Sequence, residues 1–257
     1  MRSTHFLPIQ GGEGGQALAV DWWEPDGEAA RGTAAFVHGF GSNRRGDKAL
    51  FFAERFTRNG WNFLSLDMRG HGDSGGTMEG LTLTRCLADL GLALDWVPAG
   101  AGAPVLIGSS MGAAVAAWYS LFNPGRVAAN VMIAPALAFP AGLAGRLSAA
   151  EMEQWKKRGK LRWESEWLDV QIGYGLLEDG ERYDLERLVA GYNVRTLIFH
   201  GMLDDSVDWR ASQDFALRCP APGIDLVLLK AGDHRLTDHK AFLFATLWGW
   251  LAQPATG

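Results

Sequence analysis

The chain has 257 residues, of which 47% are hydrophobic and 21% charged, and its formal net charge is −5. These proportions exclude a disordered chain, and the lack of a basic block gives no electrostatic footprint for nucleic-acid binding. The 33 glycines, about twice the usual share, predict many tight turns and close backbone approaches.

The strand pattern begins with Phe6–Ile9 and Gln16–Trp23, which we predict to pair as a hairpin. Further along the chain, short apolar runs bounded by Gly, Pro or Asp are predicted to be strands. They are Thr33–Val37, Asn62–Leu66, Pro104–Ile107, Asn130–Ala134, Arg195–Phe199 and Asp225–Leu229. Most are apolar throughout, which indicates burial on both faces of a parallel sheet.

Segments of helical periodicity lie between these strands. They are Asp47–Arg58, Leu81–Trp96, Met111–Leu121, Trp209–Arg218 and Lys240–Leu251. Alternation of strand and helix predicts an α/β fold with a mostly parallel, doubly wound sheet of about eight strands.

One interval, Ala136–Asn193, interrupts the alternation, because it is charged and has no convincing strand. It follows the sixth predicted strand at the end of the sheet where α/β proteins bind ligands. We therefore predict a helical cap over residues 136–193 and a core made of residues 1–135 and 194–257; the alternative is an ordinary pair of packing helices. The cap's tryptophans indicate an apolar acyl or aromatic pocket. They are Trp155, Trp163 and Trp167.

The interval Trp96–Gly125 carries no charge and is long enough for a membrane span of about 20 residues. Pro, Gly and Ser interrupt it, so we predict a buried strand, a tight turn and a buried helix instead. The two cysteines, Cys86 and Cys219, lack zinc-ligand spacing and fit a reducing compartment. Residues 1–15 show no secretory signal, and we expect a cytoplasmic protein.

The candidate nucleophile lies in Gly108–Gly112, which reads G-x-S-x-G between a predicted strand and a helix of small residues. Such a sharp strand-to-helix turn exposes a hydroxyl above the sheet, and the helix N-terminus behind it favours developing negative charge. Ser110 occupies the central position. Ser109 is the other candidate, but its position in the motif predicts that it points aside.

Backbone N–H groups near this turn are candidate oxyanion donors. The loop after Thr33–Val37 can supply one donor, which we assign to Phe40, and the N–H of Met111 is the other. We expect His38 to hold the loop by hydrogen bonds rather than to act as a base. For Arg44 we expect a solvated loop, with contact to an acidic substrate as the alternative.

A serine nucleophile needs a histidine base, and the base needs an orienting carboxylate. Of the histidines that follow Ser110, His234 comes just after the last predicted strand and is preferred to His239, while His200 is expected to be structural. For the acid, Asp204 is preferred to its neighbour Asp205, since Asp204 matches the pattern H-G-x-x-D-x-x-V.

Together these motifs resemble those of serine α/β-hydrolases over nearly the whole chain. They are His38-Gly-Phe-Gly, Leu66-Asp-Met-Arg-Gly-His-Gly-Asp-Ser74, Gly108-Ser-Ser-Met-Gly112 and His200-Gly-Met-Leu-Asp-Asp. The phrases Gly201-Met-Leu-Asp-Asp-Ser-Val-Asp-Trp209 and Asp233-His-Arg235 are similar to those of bacterial relatives of the mitochondrial acyl-protein thioesterase and acyl-glucuronide esterase. Asp208 stands where proline is usual, which questions the rigidity of its loop.

The resemblance implies hydrolysis of carboxylic esters or thioesters through an acyl-enzyme on Ser110, with a small-molecule acyl ester or thioester as the substrate and no cofactor. It also implies that the loop holding Asp67, His71 and Asp73 is hydrogen-bonded rather than a metal site. The same scaffold serves carbon–carbon hydrolases, lyases and perhydrolases, and a non-catalytic receptor is a further alternative.

Overall fold

The computed structural model describes residues 1–9, 15–27, 29–165, 168–221 and 223–253. Its strands are β1 (Arg2–Pro8), β2 (Ala17–Trp23), β3 (Thr33–Val37), β4 (Asn62–Leu66), β5 (Val105–Ser109), β6 (Ala129–Ile133), β7 (Lys160–Ser165), β8 (Leu168–Gly173), β9 (Thr196–Gly201) and β10 (Ile224–Leu229). Its α-helices are α1 (Asp47–Arg58), α2 (Leu83–Trp96), α3 (Met111–Phe122), α4 (Ala141–Ala144), α5 (Ala149–Arg158), α6 (Gly175–Gly180), α7 (Leu185–Gly191), α8 (Trp209–Arg218) and α9 (Lys240–Leu251).

The large sheet has eight strands in the order β1-β2-β4-β3-β5-β6-β9-β10. The β1–β2 and β2–β4 pairs are antiparallel and all the others are parallel. The predicted hairpin and the predicted mostly parallel sheet are thus confirmed. Since β4 and β5 lie on opposite sides of β3, the chain reverses its direction of progress across the sheet there. Ligands of open α/β sheets bind at such a switch point.

Both faces of the sheet are covered, which explains why its central strands are apolar throughout. In β3, Ala34 and Phe36 pack with α1 and α9, while Ala35 and Val37 pack with α2 and α3. The uncharged interval Trp96–Gly125 becomes β5, a turn and α3. Among the helices of the described residues, none has both the length and the apolar character needed to cross a membrane.

The chain between β6 and β9, which we call the insert, corrects the prediction of an all-helical cap. Besides α4 to α7 it contains an antiparallel hairpin of β7 and β8, in which Trp163 pairs with Val170. The period-two signal was present, because Leu161, Trp163, Val170 and Ile172 alternate with polar residues. Such alternation is typical of a strand with one face covered.

Arg44 also differs from the expectation, because it is buried (2% exposed) instead of solvated. Its guanidinium group lies 3.2 Å from a carboxylate oxygen of Asp21 and 2.6 Å from one of Asp73, and it also pairs with Asp67. Asp67 accepts a further hydrogen bond, of 2.9 Å, from the backbone N–H of Asp73. These charges tie the loop after β3 to the loop after β4, with Arg45 adding a contact to Asp21.

The histidine and the carboxylates of the loop after β4 therefore take part in hydrogen bonds. His71 accepts one from the N–H of Gly41 at 3.2 Å. Within the described ranges, no group of three or more His, Cys, Asp or Glu side chains has an arrangement suited to a metal ion.

Replacing Arg44 with Met should lower the free energy of unfolding by about 3–5 kcal/mol, because the buried carboxylate of Asp67 loses its paired cation and that of Asp21 keeps only Arg45. Urea unfolding at pH 7 measures this. The matched control is Arg58→Met, whose exposed ion pair with Glu54 should contribute less than about 1 kcal/mol. Equal losses in the two variants would contradict a stabilising role for the buried cluster.

Candidate active site

Ser110 forms the turn between β5 and α3. Its backbone has φ 53° and ψ −117°, a region that residues with a side chain rarely occupy. Glycines make the turn possible: a Cβ at Gly108 would lie 2.5 Å from the Cα of Ala113, and one at Gly112 would lie 2.1 Å from the carbonyl oxygen of Val37. The turn holds the Ser110 side chain at the carboxyl edge of the sheet, half-exposed.

His234 follows β10 and reaches Ser110 from the same edge of the sheet. Its Nε2 lies 3.0 Å from Oγ of Ser110, and its Nδ1 lies 2.7 Å from Oδ2 of Asp204. Because a carboxylate can only accept, Nδ1 carries the proton and the lone pair of Nε2 faces the serine hydroxyl. Ser110, His234 and Asp204 are therefore hydrogen-bonded in series, and the hydroxyl proton can pass to the imidazole.

Asp204 lies in the loop after β9, and its side chain is fully buried. Its Oδ1 accepts hydrogen bonds of 2.8 Å from the N–H groups of Ser206 and Val207. Burial alone would raise the pKa of Asp204, but hydrogen bonds from His200 and His234 outweigh it and hold that pKa well below its ordinary value. The carboxylate therefore stays charged at neutral pH beside the imidazole.

The residues that competed with these in the sequence lie elsewhere. The side chain of Asp205 is exposed and accepts a hydrogen bond from the Ser206 hydroxyl at 3.0 Å. His239 ends the short 3-10 helix that precedes α9. Asp208, which replaces the usual proline, caps α8 by accepting the N–H of Arg210, so the departure supplies a helix N-cap.

The two candidate oxyanion donors lie beside Ser110. Met111 is the first residue of α3, where N–H groups have no partner within the helix. Phe40 lines the same cavity as Ser110, and the preceding residue, Gly39, lies so close that a Cβ there would be 3.1 Å from the Ser109 carbonyl oxygen. His38 holds this loop, since its Nε2 accepts the N–H of Met68 at 3.0 Å.

The hairpin of the insert presses on the loop that carries Phe40. A Cβ at Gly41 would lie 2.6 Å from Cδ2 of Leu168 in β8, and Gly41 has φ +68°. The ring of Trp163 in β7 meets the Phe40 ring edge to face at 6.4 Å. The position of the Phe40 backbone therefore depends on the insert as well as on β3.

A cavity of about 370 Å³ extends from Ser110 beneath the insert. Most of its lining is apolar and comes from the chain after β6, from α7 and from α8. The apolar side chains include Phe139, Leu143, Leu185, Val189, Phe215 and Trp163. Such a lining suits an apolar group attached to a reacting carbonyl at Ser110.

Three tryptophans were predicted to contact a substrate, and of the two that the structure describes, Trp163 lines this cavity and Trp155 does not. The prediction for Trp155 is wrong: its side chain is fully buried within the insert, where Nε1 donates to the Ile172 carbonyl oxygen at 2.9 Å. Trp155 joins α5 to β8 rather than lining a pocket. Trp167 lies outside the described residues.

A second cavity, of about 750 Å³, opens on the other side of Ser110 and is more polar. Lys48, at the start of α1, lines it and donates to the Arg235 carbonyl oxygen, one residue after His234. Burial, with the nearby charge of Arg235, lowers the pKa of Lys48 to about 8. Ser110 therefore borders both an apolar chamber and a more polar one.

His200 is a contact of the site that sequence reasoning missed. It was expected to be structural, yet its Nε2 lies 3.0 Å from Oδ2 of Asp204. The spacing His-x-x-x-Asp at the end of β9 was the available signal.

Comparisons with known proteins give matches over more than half of the chain. The family model described as "Serine aminopeptidase, S33" matches residues 28–169. The chain is 28% identical over 212 residues to the mitochondrial palmitoyl-protein thioesterase ABHD10 of Mus musculus, covering 79% of this chain and 69% of that protein. It is 30% identical over 208 residues to a monoacylglycerol lipase of Mycolicibacterium smegmatis, covering 79% and 67%.

Solved structures are similar over almost the whole chain. The mouse alpha/beta hydrolase domain-containing protein 10 has a TM-score of 0.81 at 25% identity and covers 97% of this chain and 98% of its own. A putative hydrolase from Agrobacterium vitis S4 has a TM-score of 0.86 at 24% identity, with the same coverage. The thioesterase ABHD10 is named as a mitochondrial protein, and the cytoplasmic location of this chain stays a prediction.

Replacing Asp204 with Asn should lower kcat/KM for an ester substrate by about 10³- to 10⁴-fold, because the amide favours the wrong imidazole tautomer. The matched control is Asp205→Asn, which alters an exposed carboxylate and should leave kcat/KM nearly unchanged. Steady-state kinetics with p-nitrophenyl esters measure both. The reverse ranking would identify Asp205 as the acid.

Proposed function

The chain belongs to the serine aminopeptidase S33 family and has the α/β-hydrolase fold, and from this premise we propose that it is a serine-dependent hydrolase of carboxylic esters or thioesters. The observation that carries the proposal is the hydrogen-bonded series Ser110–His234–Asp204 at the carboxyl edge of the sheet. A hydroxyl, a base and an orienting carboxylate in this order are the parts that acyl transfer through an acyl-enzyme requires.

In the proposed reaction, Nε2 of His234 takes the hydroxyl proton as Oγ of Ser110 attacks the acyl carbonyl carbon. Asp204 keeps the imidazole in the required tautomer and stabilises the imidazolium that forms. The imidazolium then gives its proton to the departing alcohol or thiol, which leaves the acyl group on Ser110. Water, deprotonated by the same histidine, then attacks the acyl carbon. The bond to Oγ of Ser110 breaks as the imidazolium returns its proton to that oxygen, and the acid is released.

Negative charge develops on the carbonyl oxygen during each attack. The N–H groups of Phe40 and Met111 are the proposed donors to that oxygen, and a single such donor is worth about 3–4 kcal/mol of transition-state stabilisation. Met111 adds the positive end of the α3 dipole. No metal or cofactor takes part in the proposed steps.

An apolar acyl group is the proposed substrate feature, and the insert is the proposed cap over it. The cavity beneath the insert supports this, since it extends from Ser110 between α7 and α8 with a mostly apolar lining. The relatives named above are a palmitoyl-protein thioesterase and a monoacylglycerol lipase, names that both refer to acyl groups. The polar chamber near Lys48 is then left for the alcohol or thiol portion.

A fluorophosphonate probe tests the nucleophile directly. Labelling should be lost in Ser110→Ala and kept in Ser109→Ala, because it is Oγ of Ser110 that lies 3.0 Å from the proposed base, Nε2 of His234. Intact-protein mass spectrometry measures the labelling, and p-nitrophenyl esters and acyl thioesters then measure turnover. Labelling of Ser110→Ala would contradict the mechanism, and labelling without turnover of either substrate would favour another reaction on the same scaffold.

Narrowing the apolar cavity tests the acyl site. Leu185→Trp should lower kcat/KM for octanoyl and longer esters by about tenfold or more, since the added ring occupies the space of several methylenes, while acetyl esters change little. The matched control is Leu217→Trp, on α8 but 78% exposed and outside the cavity lining. An equal effect of Leu185→Trp on short and long esters would contradict the assignment of the cavity to the acyl chain.

A further inference from the structure

His200 is a buried imidazole that no step of the proposed reaction uses. It lies in β9 with no exposed surface, one residue before the strand ends. Its Nε2 is 3.0 Å from Oδ2 of Asp204 and 3.1 Å from the carbonyl oxygen of Val207. Its Nδ1 is 2.6 Å from the hydroxyl of Ser212, a buried residue of α8.

These contacts define where the proton of His200 lies. Both neighbours of Nε2 are acceptors, so Nε2 carries the proton and donates it towards Asp204 and Val207. Nδ1 then accepts from the Ser212 hydroxyl, and every polar atom of the neutral ring is satisfied. A histidine satisfied in this way has one fixed orientation, because turning the ring would break the contacts on both sides.

Oδ2 of Asp204 therefore accepts from two imidazoles, His234 at 2.7 Å and His200 at 3.0 Å. Oδ1 is occupied by two backbone N–H groups of the following loop. Without His200, Oδ2 would lose one of its two imidazole donors inside a buried site. The carboxylate could then turn about its side-chain bonds. The direction in which Oδ2 meets His234 thus depends on His200.

Resting on the proposed function, we propose that His200 is a positioning residue for the catalytic acid: it fixes the orientation of Asp204 and shares its negative charge with His234. It touches neither Ser110 nor the cavity in which the acyl group is proposed to lie. Its action on the reaction passes through Asp204 alone.

Sharing the charge has a consequence with a definite sign. A carboxylate that accepts a hydrogen bond from His200 attracts a proton on His234 less strongly than one that lacks this donor. Removing His200 should make protonation of His234 easier and move the acid limb of the pH–rate profile to higher pH. The charged neighbours of His200 are Asp204, His234 beyond it, and Asp208 at the start of α8.

His200→Phe tests this, because phenylalanine keeps a ring in the site but has no donor. We expect kcat for a p-nitrophenyl ester to fall about 10- to 100-fold, as for a small misplacement of a catalytic group. KM should change less than about twofold, since the acyl cavity is untouched. The midpoint of the acid limb of kcat/KM should rise by about half a pH unit or more. His200→Met is the second non-donating variant, should the phenylalanine fail to fold.

Two further variants separate positioning from stability. His200→Gln can place an amide N–H near the position of Nε2 and should recover most of kcat together with the original acid-limb midpoint. Thr196→Val is the matched control on the same strand. It removes a buried hydroxyl that is 2.6 Å from the Tyr192 hydroxyl, at the end of β9 remote from the loop that carries Asp204. It should lower the melting temperature and leave kcat and the pH profile unchanged.

The outcomes are distinct. A lower melting temperature for His200→Phe with the wild-type kcat and pH profile would overturn the inference, and so would a glutamine variant no better than the phenylalanine variant. Ser110→Ala is assayed in parallel. If it keeps turnover, the proposed function itself is wrong; if it abolishes turnover while His200→Phe behaves like Thr196→Val, only the role of His200 is wrong.

Discussion

The hydroxyl of Ser110 faces away from the sheet because the chain passes from β5 into α3 through one residue with φ 53°. The same turn brings α3 so near β3 that no side chain fits at Gly112, where a Cβ would meet the Val37 carbonyl oxygen. The remaining groups lie near Ser110 because the loops after the parallel strands β3, β9 and β10 leave the sheet at the same edge. The strained residue is held by the strand and helix on either side of it.

Asp204 supplies the buried negative charge beside His234. Its buried carboxylate accepts from two imidazoles and two backbone N–H groups, and these come from β9, from the loop that follows and from the loop after β10. One ionised group therefore joins the end of β9 and the loop that follows it to the loop after β10, 30 residues further along the chain. Its hydrogen bonds outweigh the desolvation that burial imposes, so the charge that orients His234 is also part of what holds these loops together.

Much of the core and the predicted triad could be read from the sequence, because local patterns define them. Strands buried on both faces are apolar throughout, which is why β3 and β4 end where predicted, and Ser110 lies in a motif between a strand and a helix. The burial of Arg44 could not be predicted because it depends on aspartates from two distant segments, β2 and the loop after β4, which leave no local pattern. Trp155 was misjudged because a tryptophan indicates burial but not which space it fills. The β7–β8 hairpin was missed through the charges that alternate with its apolar residues.

The contact between Leu168 and Gly41 has a consequence for how substrate range diversifies in this architecture. The segment that lines the proposed acyl chamber also packs against the loop bearing a proposed oxyanion donor, so a change in the chamber would also affect the position of that loop. An insert from another protein, placed between β6 and β9, would need a side chain that packs against the backbone of Gly41 as Leu168 does. Substrate specificity and reaction rate would therefore not vary independently, because variants that alter one must also preserve the close contact between Leu168 and Gly41.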